Sequence, residues 1–259
     1  YSLGAINSSD RILTYLPLSH VLGRFESFTT IALGNETIYA ESMAKLIENI
    51  SLVKPTILVA VPRVLEKIYE RAMKAMAQNQ IKKHTFDWAM KVANMFYETL
   101  DADRIPSSGL IFQHTLAKKL VFSKVYQMFG GQIRYFISGG APLDVKVIYF
   151  LRNAGLTVLE GYGLTETIAP CSINPLSKQV PGSVGQPIGD VQIKFSDDGE
   201  ILIKSKALFS GYFKDEKETS RVLDENGWFY TGDIGHFDSQ GFLRITDRKK
   251  DIKSTSAGK

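Results

Sequence analysis

Cysteine is almost missing from this sequence: Cys171 is the only one in 259 residues. A single cysteine excludes an intramolecular disulfide and a thiolate metal site. Histidine is scarce too, and His20, His84, His114 and His236 lack the spacing of metal ligands. No apolar run approaches the roughly 20 residues that a membrane helix needs. No signal-peptide pattern is visible, and with one free thiol this favours a cytoplasmic protein. Strong net charge is also lacking. Lys and Arg number 31 against 27 Asp and Glu, a balance of +4. That is too weak alone to argue for nucleic acid, so none is expected as a partner, but it suffices to help a surface rest on anionic lipid. There is no G-x-G-x-x-G fingerprint, no G-x-S-x-G elbow and no Ser/His/Asp set. What remains is the composition of an ordinary globular protein, long enough for one large domain or two smaller ones. The chain begins at Tyr1 and stops inside a Ser/Thr/Gly/Lys stretch, so it reads as part of a longer protein.

The pattern of elements divides the chain. Arg11 to Leu18 is β-rich and feeds a loop holding Ser19, His20, Arg24 and Glu26. Thr37 to Ala40 is a short strand, and Ser42 can cap a helix reaching about Ser51. The apolar run Thr56 to Val61 suits a strand buried on both faces. Helices are expected over 63–80, 84–100 and 113–129, the last stopped by Gly130-Gly131. A strand at 134–138, a helix entered at Pro142 and a strand at 157–159 complete a strand–helix–strand alternation. That alternation predicts an α/β fold, a parallel sheet flanked by helices, over 1–170. Glycine then punctuates short β segments, with a hairpin around Asp197-Asp-Gly199, and predicts a small antiparallel barrel-like subdomain over 171–246. The charged residues of 247–259 read as a linker.

Chemistry concentrates in Gly161-Tyr-Gly-Leu-Thr-Glu-Thr167. Read as a glycine turn after a strand, it brings backbone close to a ligand. Tyr162 offers a flat face for a ring, Thr165 a donor for phosphate, and Glu166 a carboxylate for a hard cation. The plain alternative is a strand-to-helix loop with a threonine cap. A second glycine turn, Gly139-Gly140, also follows a strand, where ligands of open α/β sheets sit. Asp233, after a glycine at an expected strand end, suits a ribose diol, and a surface turn is the equal alternative. Arg248 follows a strand and could reach phosphate or ribose, although a lone arginine is usually solvated.

These residues carry a resemblance. Gly161 to Thr167, with Ser138-Gly-Gly-Ala-Pro-Leu143, Gly182-Ser-Val-Gly-Gln-Pro187, Tyr230-Thr-Gly-Asp233 and Asp247-Arg-Lys-Lys-Asp251, resembles the adenylate-forming, AMP-binding acyl-CoA synthetases. Leu16-Pro-Leu-Ser-His20, Val61-Pro-Arg-Val-Leu-Glu-Lys-Ile-Tyr69, the helical insert with Phe86-Asp-Trp88, and Leu120-Val-Phe-Ser-Lys124 look like the long-chain fatty acid–CoA ligases among them. The resemblance implies ATP, Mg²⁺ and coenzyme A as reactants, a fatty acid as substrate, and transient contact with a membrane surface. It also implies roles for individual residues. Gly139, Gly140 and Ala141 would lie along the adenine and ribose, Glu160 and Gly161 would border the base, and Tyr162 would stack on it. Thr165 would touch the α-phosphate, Glu166 would hold Mg²⁺, and Asp233 and Arg248 would bind ribose. His20 would lie near the acyl group, and Lys250 would be a hinge to a C-terminal domain. The family's phosphate loop and that C-terminal domain are missing from the sequence, so the piece alone is expected to be inactive or nearly so. The alternatives are a ligase for a medium-chain, aryl or amino acid, and a nucleotide-binding module without catalysis.

Overall fold

The computed structural model describes residues 6–77 and 79–249. The chain packs as two compact units. The first comprises Asn7–Tyr15 and Thr29–Val158; the second comprises, among the described residues, Ile6, Leu16–Phe28 and 159–249.

The first unit holds four short parallel strands: β1 (Arg11–Thr14), β2 (Glu36–Tyr39), β3 (Ile57–Ala60) and β4 (Tyr135–Ser138). They lie in the order β2-β1-β3-β4. Every residue of β3 is buried, as its unbroken apolar run requires of a strand covered on both faces. Asp10, just before β1, ties the strand ends together. Its two carboxylate oxygens accept from Arg134 Nη1 at 2.7 and 2.8 Å, and Oδ1 also accepts from the Thr56 hydroxyl at 2.7 Å. Burial pushes this acid's pKa up, but the Asn7 N–H, the Thr56 hydroxyl and the Arg134 guanidinium together outweigh it and hold it below the usual value.

Helices alternate with the strands. They are α1 (Val21–Leu33), α2 (Leu46–Val53), α3 (Pro62–Ala77), α4 (Gln80–Asp101), α5 (Ser108–Ala117), α6 (Ser123–Met128) and α7 (Val145–Asn153). In α3, Val64, Leu65, Ile68 and Ala72 turn inward at helical spacing. In α4 the same holds for Phe86, Ala89, Val92 and Ala93, behind an Asn79 cap that accepts from the Ile81 N–H at 2.8 Å. Phe150 of α7 is fully buried, edge-on to Tyr69 with ring centroids 5.1 Å apart.

Several expectations are corrected. The loop expected around Arg24 and Glu26 is helix α1, with Gly23 packed so tightly that a Cβ would lie 2.5 Å from the Pro17 carbonyl oxygen. Ser42 caps a turn ending at Lys45 rather than α2 itself, which begins at Leu46. Asp144, not Pro142, opens α7, accepting from the Lys146 N–H at 2.8 Å. The helix expected over 113–129 is α5 and α6 joined by a π-helical turn, Lys118–Phe122. The π turn lets Ala117, Val121, Phe122 and Val125 all face the core.

The second unit is antiparallel, as the glycine-punctuated stretch predicts. β5 (Thr157–Leu164) enters it and pairs with β6 (Ala169–Ile173), which pairs with β7 (Gln186–Pro187). A four-stranded sheet follows in the order β11-β10-β9-β8, formed by β8 (Gln192–Phe195), β9 (Glu200–Lys204), β10 (Phe229–Phe237) and β11 (Leu243–Arg248). The expected hairpin joins β8 to β9, with Gly199 at φ +80° in its turn. A short helix, α8 (Glu216–Val222), precedes β10. Tyr162, Cys171, Ile201, Ile203 and Leu243 form the core of this unit. Among the described residues, no helix is long and apolar enough to cross a membrane.

Candidate nucleotide site

The segment Gly161–Gly163 is strand, not turn. β5 runs straight through both glycines, opposite Ile173, Ser172 and Pro170, with a register shift after Tyr162. Neither glycine has positive φ. Gly161 sits close to its neighbour: a Cβ there would lie 3.1 Å from the Ser172 carbonyl oxygen, a tight contact. The bend comes later, in the 3₁₀ turn Thr165–Thr167. Thr167 is buried, and its hydroxyl accepts from the Leu164 N–H at 2.9 Å, so it folds the turn. Thr165 remains exposed at the surface of the turn.

Asp233 is likewise not at a strand end. It lies inside β10, in an irregular stretch where pairing with β9 slips between Tyr230 and Ile234. Gly232 takes φ +74° there, a conformation that glycine reaches without strain. Arg248 is not in a linker: it is the last residue of β11 and the direct cross-strand partner of Asp233.

A cleft of about 640 Å³ opens in this unit, within the range of small-molecule sites. Thr165, Glu166, Tyr212, Asp233, Arg248 and Lys249 are among its lining residues. Asp233 is only 4% exposed, yet both carboxylate oxygens are engaged. Oδ2 accepts from the Tyr162 hydroxyl at 2.6 Å, and Oδ1 from Arg248 Nε at 3.1 Å. Each oxygen keeps acceptor capacity for a ligand hydroxyl. Burial, then the Asp233 charge, pushes the Tyr162 phenol far above its ordinary pKa, so it stays protonated and donating.

Tyr162 itself is buried and is not one of the residues lining this cleft. Glu166 turns into the cleft with Oε1 accepting from the Tyr212 hydroxyl at 2.8 Å. Burial and that bond push the Tyr212 phenol up to about 12. Among the described residues there is no cluster of three or more His, Cys, Asp or Glu side chains fit for a metal. One half-buried carboxylate nevertheless suits Mg²⁺, which keeps several waters and takes its remaining ligands from substrate phosphate.

The other expected site residues are placed as follows. Glu160, on β5, is buried; its Oε2 accepts from the Gly182 N–H at 3.1 Å, and burial pushes its carboxyl up to about 7. His20 is exposed before α1, where Nδ1 accepts from the Leu22 N–H at 3.2 Å. Gly139, Gly140 and Ala141 form the bend after β4 in the first unit, with Gly140 at φ +85°. Lys250 lies outside the described residues. Cys171 is sealed, its Sγ donating to the Thr167 hydroxyl at 3.2 Å, and burial pushes the thiol up to about 11.

Sequence reasoning missed Tyr212, Glu200 and Lys249. Glu200 left a signal, a carboxylate opening the apolar strand Ile201-Leu202-Ile203 at a position that turns out buried, and Lys249 sits in the Asp247–Asp251 run without a role assigned to it.

The sequence profile of the AMP-binding enzyme family matches residues 1–213. The chain is 37% identical over 254 residues to long-chain-fatty-acid–CoA ligase FadD15 of Mycobacterium bovis, covering 98% of this chain and 42% of that protein. It is 34% identical over 262 residues to long-chain-fatty-acid–CoA ligase 5 of Rattus norvegicus, covering 96% of this chain and 37% of that protein. Thus it spans less than half the length of these curated relatives. Among solved structures, it is similar to the o-succinylbenzoate coenzyme A synthetase of Bacillus subtilis in complex with AMP, with a TM-score of 0.64 at 24% identity over 95% of this chain and 42% of that one. The same enzyme in complex with ATP and magnesium ion gives a TM-score of 0.64 at 23% identity over 96% of this chain and 43% of that one. These two likenesses are of fold.

Proposed function

The chain belongs to the AMP-binding enzyme family, and from that premise we propose that its protein activates a long-chain fatty acid with ATP and passes the acyl group to coenzyme A. The observation that carries the reading is the convergence of Thr165, Glu166, Asp233 and Arg248 on one cleft. Asp233, with Arg248 across the strand pair, receives the ribose hydroxyls. Tyr162 fixes Asp233 through its phenol, with Glu160 and Gly161 toward the base. Thr165 donates to the α-phosphate. Glu166 would hold Mg²⁺, which when bound neutralises charge on the phosphate oxygens. His20 is assigned to the acyl end and Lys250 to a hinge.

The chemistry fits a site poor in histidine. A fatty carboxyl titrates at roughly 4–5, so it is already an anion at neutral pH and needs no base. Its oxygen bonds to the α-phosphorus, the bond to pyrophosphate breaks, and pyrophosphate leaves. The thiol of coenzyme A then attacks the acyl carbonyl, and AMP leaves with its electron pair. Alignment and charge cancellation are what the residues supply. The choice of a long-chain acid rests on similarity to the long-chain ligases.

The test is release of AMP by the whole protein, as its gene encodes it, with ATP, Mg²⁺, coenzyme A and acids of graded length. Long chains are expected to turn over best. Preference for an aryl or amino acid in competition would reassign the substrate, and silence with every acid would leave a nucleotide-binding module. Thr165→Val and Glu166→Gln are each expected to slow adenylation by at least about 10²-fold. Turnover within a few-fold of the parent would make them loop residues only.

A further inference from the structure

Glu200 opens β9 and is 5% exposed. One of its carboxylate oxygens faces β10 and the other faces the residue just after β11. Oε1 accepts from the Gly232 N–H at 2.8 Å, and Oε2 accepts from Lys249 Nζ at 2.6 Å. Gly232 is the turning point of the irregular stretch that carries Asp233. The same stretch is held on its other side by Thr231, whose hydroxyl donates to the Ile201 carbonyl at 2.8 Å and accepts from the Asp233 N–H at 3.1 Å. Lys249 directly follows Arg248, the other partner of Asp233, and also pairs with Asp198 Oδ2 at 2.6 Å.

A buried carboxylate is costly unless donors and a countercharge satisfy it. Here both are drawn from residues adjoining the Asp233–Arg248 pair. A brace for the fold alone would be as well served by any two neighbours. This one fixes the backbone immediately before Asp233 and the side chain immediately after Arg248.

We propose that Glu200 is a positioning residue for nucleotide recognition: through Gly232 and Lys249 it sets the direction in which the Asp233 carboxylate meets the two ribose hydroxyls. The inference rests on the reading of this cleft as the nucleotide site. It makes a distinctive demand. Losing Glu200 must weaken ligands that carry the ribose hydroxyls and spare those that lack them.

The measurement is calorimetric affinity of the whole protein for AMP and for 2′,3′-dideoxy-AMP, in the parent and in Asp233→Asn, Glu200→Gln, Glu200→Ala and Lys249→Met. The parent is expected to prefer AMP by about tenfold or more, and Asp233→Asn to abolish most of that preference. Glu200→Ala is expected to lower AMP affinity about tenfold while dideoxy-AMP stays within about twofold. Glu200→Gln, which keeps an acceptor for Gly232, is expected to recover much of the loss. Lys249→Met, which leaves the carboxylate unbalanced, should fall between them. If Asp233→Asn narrows the preference but the Glu200 variants weaken both ligands equally or neither, Glu200 is structural and the inference is overturned. If Asp233→Asn itself leaves the preference unmoved, the cleft reading fails and takes this inference with it. Should Glu200→Ala fail to fold, the isosteric Glu200→Gln and Lys249→Met carry the same comparison.

Discussion

Tyr162 meets two requirements with one side chain. Its ring belongs to the core of the second unit, and its hydroxyl completes the hydrogen bonding of Asp233. Tyr162→Phe keeps the ring and removes the donor. It is expected to destabilise the protein by about 1–2 kcal/mol and to weaken AMP roughly tenfold, as thermal unfolding and calorimetry would show. Unchanged affinity would separate the phenol from the site. Glu160 supports a prediction about pH. Its carboxyl titrates at about 7 when folded against 4.5 as a free side chain, because burial penalises the anion more than Gly182 and Arg244 relieve it. The folded state therefore binds the extra proton, so this residue's contribution is fully present below about 4.5 and is lost as pH rises through about 7. The parent should lose up to about 3 kcal/mol across that window relative to Glu160→Gln, read as urea midpoints at about pH 5 and pH 8. Parallel pH profiles for the two proteins would refute it. At this scale the sequence singled out Thr165, Glu166, Asp233 and Arg248 by residue type, the last two against an equal or plainer reading, and all four line one cleft. It gave no role to Tyr212 or to Lys249 of the Asp247–Asp251 run, whose partners are 46 and 49 residues away.

Among the elements, strands β3, β4 and the β8–β9 hairpin were legible because burial and turn chemistry are local properties. Helix α1 was not legible. Its Gly23 and paired threonines give weak helical propensity, and the close approach to Pro17 that demands the glycine is a tertiary fact. For the same reason Gly161 and Gly163 suggested a turn when both lie within a strand, close to its neighbour at Gly161. Gly185 presents the strongest case. It has φ +83°, and a Cβ there would stand 1.8 Å from the Ile173 carbonyl carbon. Its carbonyl meanwhile accepts from the Leu243 N–H at 2.7 Å, so the segment cannot step aside without breaking that bond. Gly185→Ala is expected to cost at least about 3 kcal/mol, while Gly189→Ala, with open space around it, should cost about 1 kcal/mol. Denaturant midpoints that rank the two the other way would contradict this packing.

For the molecule as a whole, the α/β and antiparallel parts were both legible from texture. The last division between the two units along the chain falls at Val158/Leu159, inside β5, so this strand begins in one unit and ends in the other. No composition shift announces a boundary inside a continuous strand, and the expected one near residue 170 follows the sequence texture instead. The sealed sulfur at position 171 gives this molecule a built-in clock. A thiol reagent added at neutral pH meets almost no thiolate and almost no accessible surface, so each labelled molecule records one excursion in which the second unit's interior was open to water.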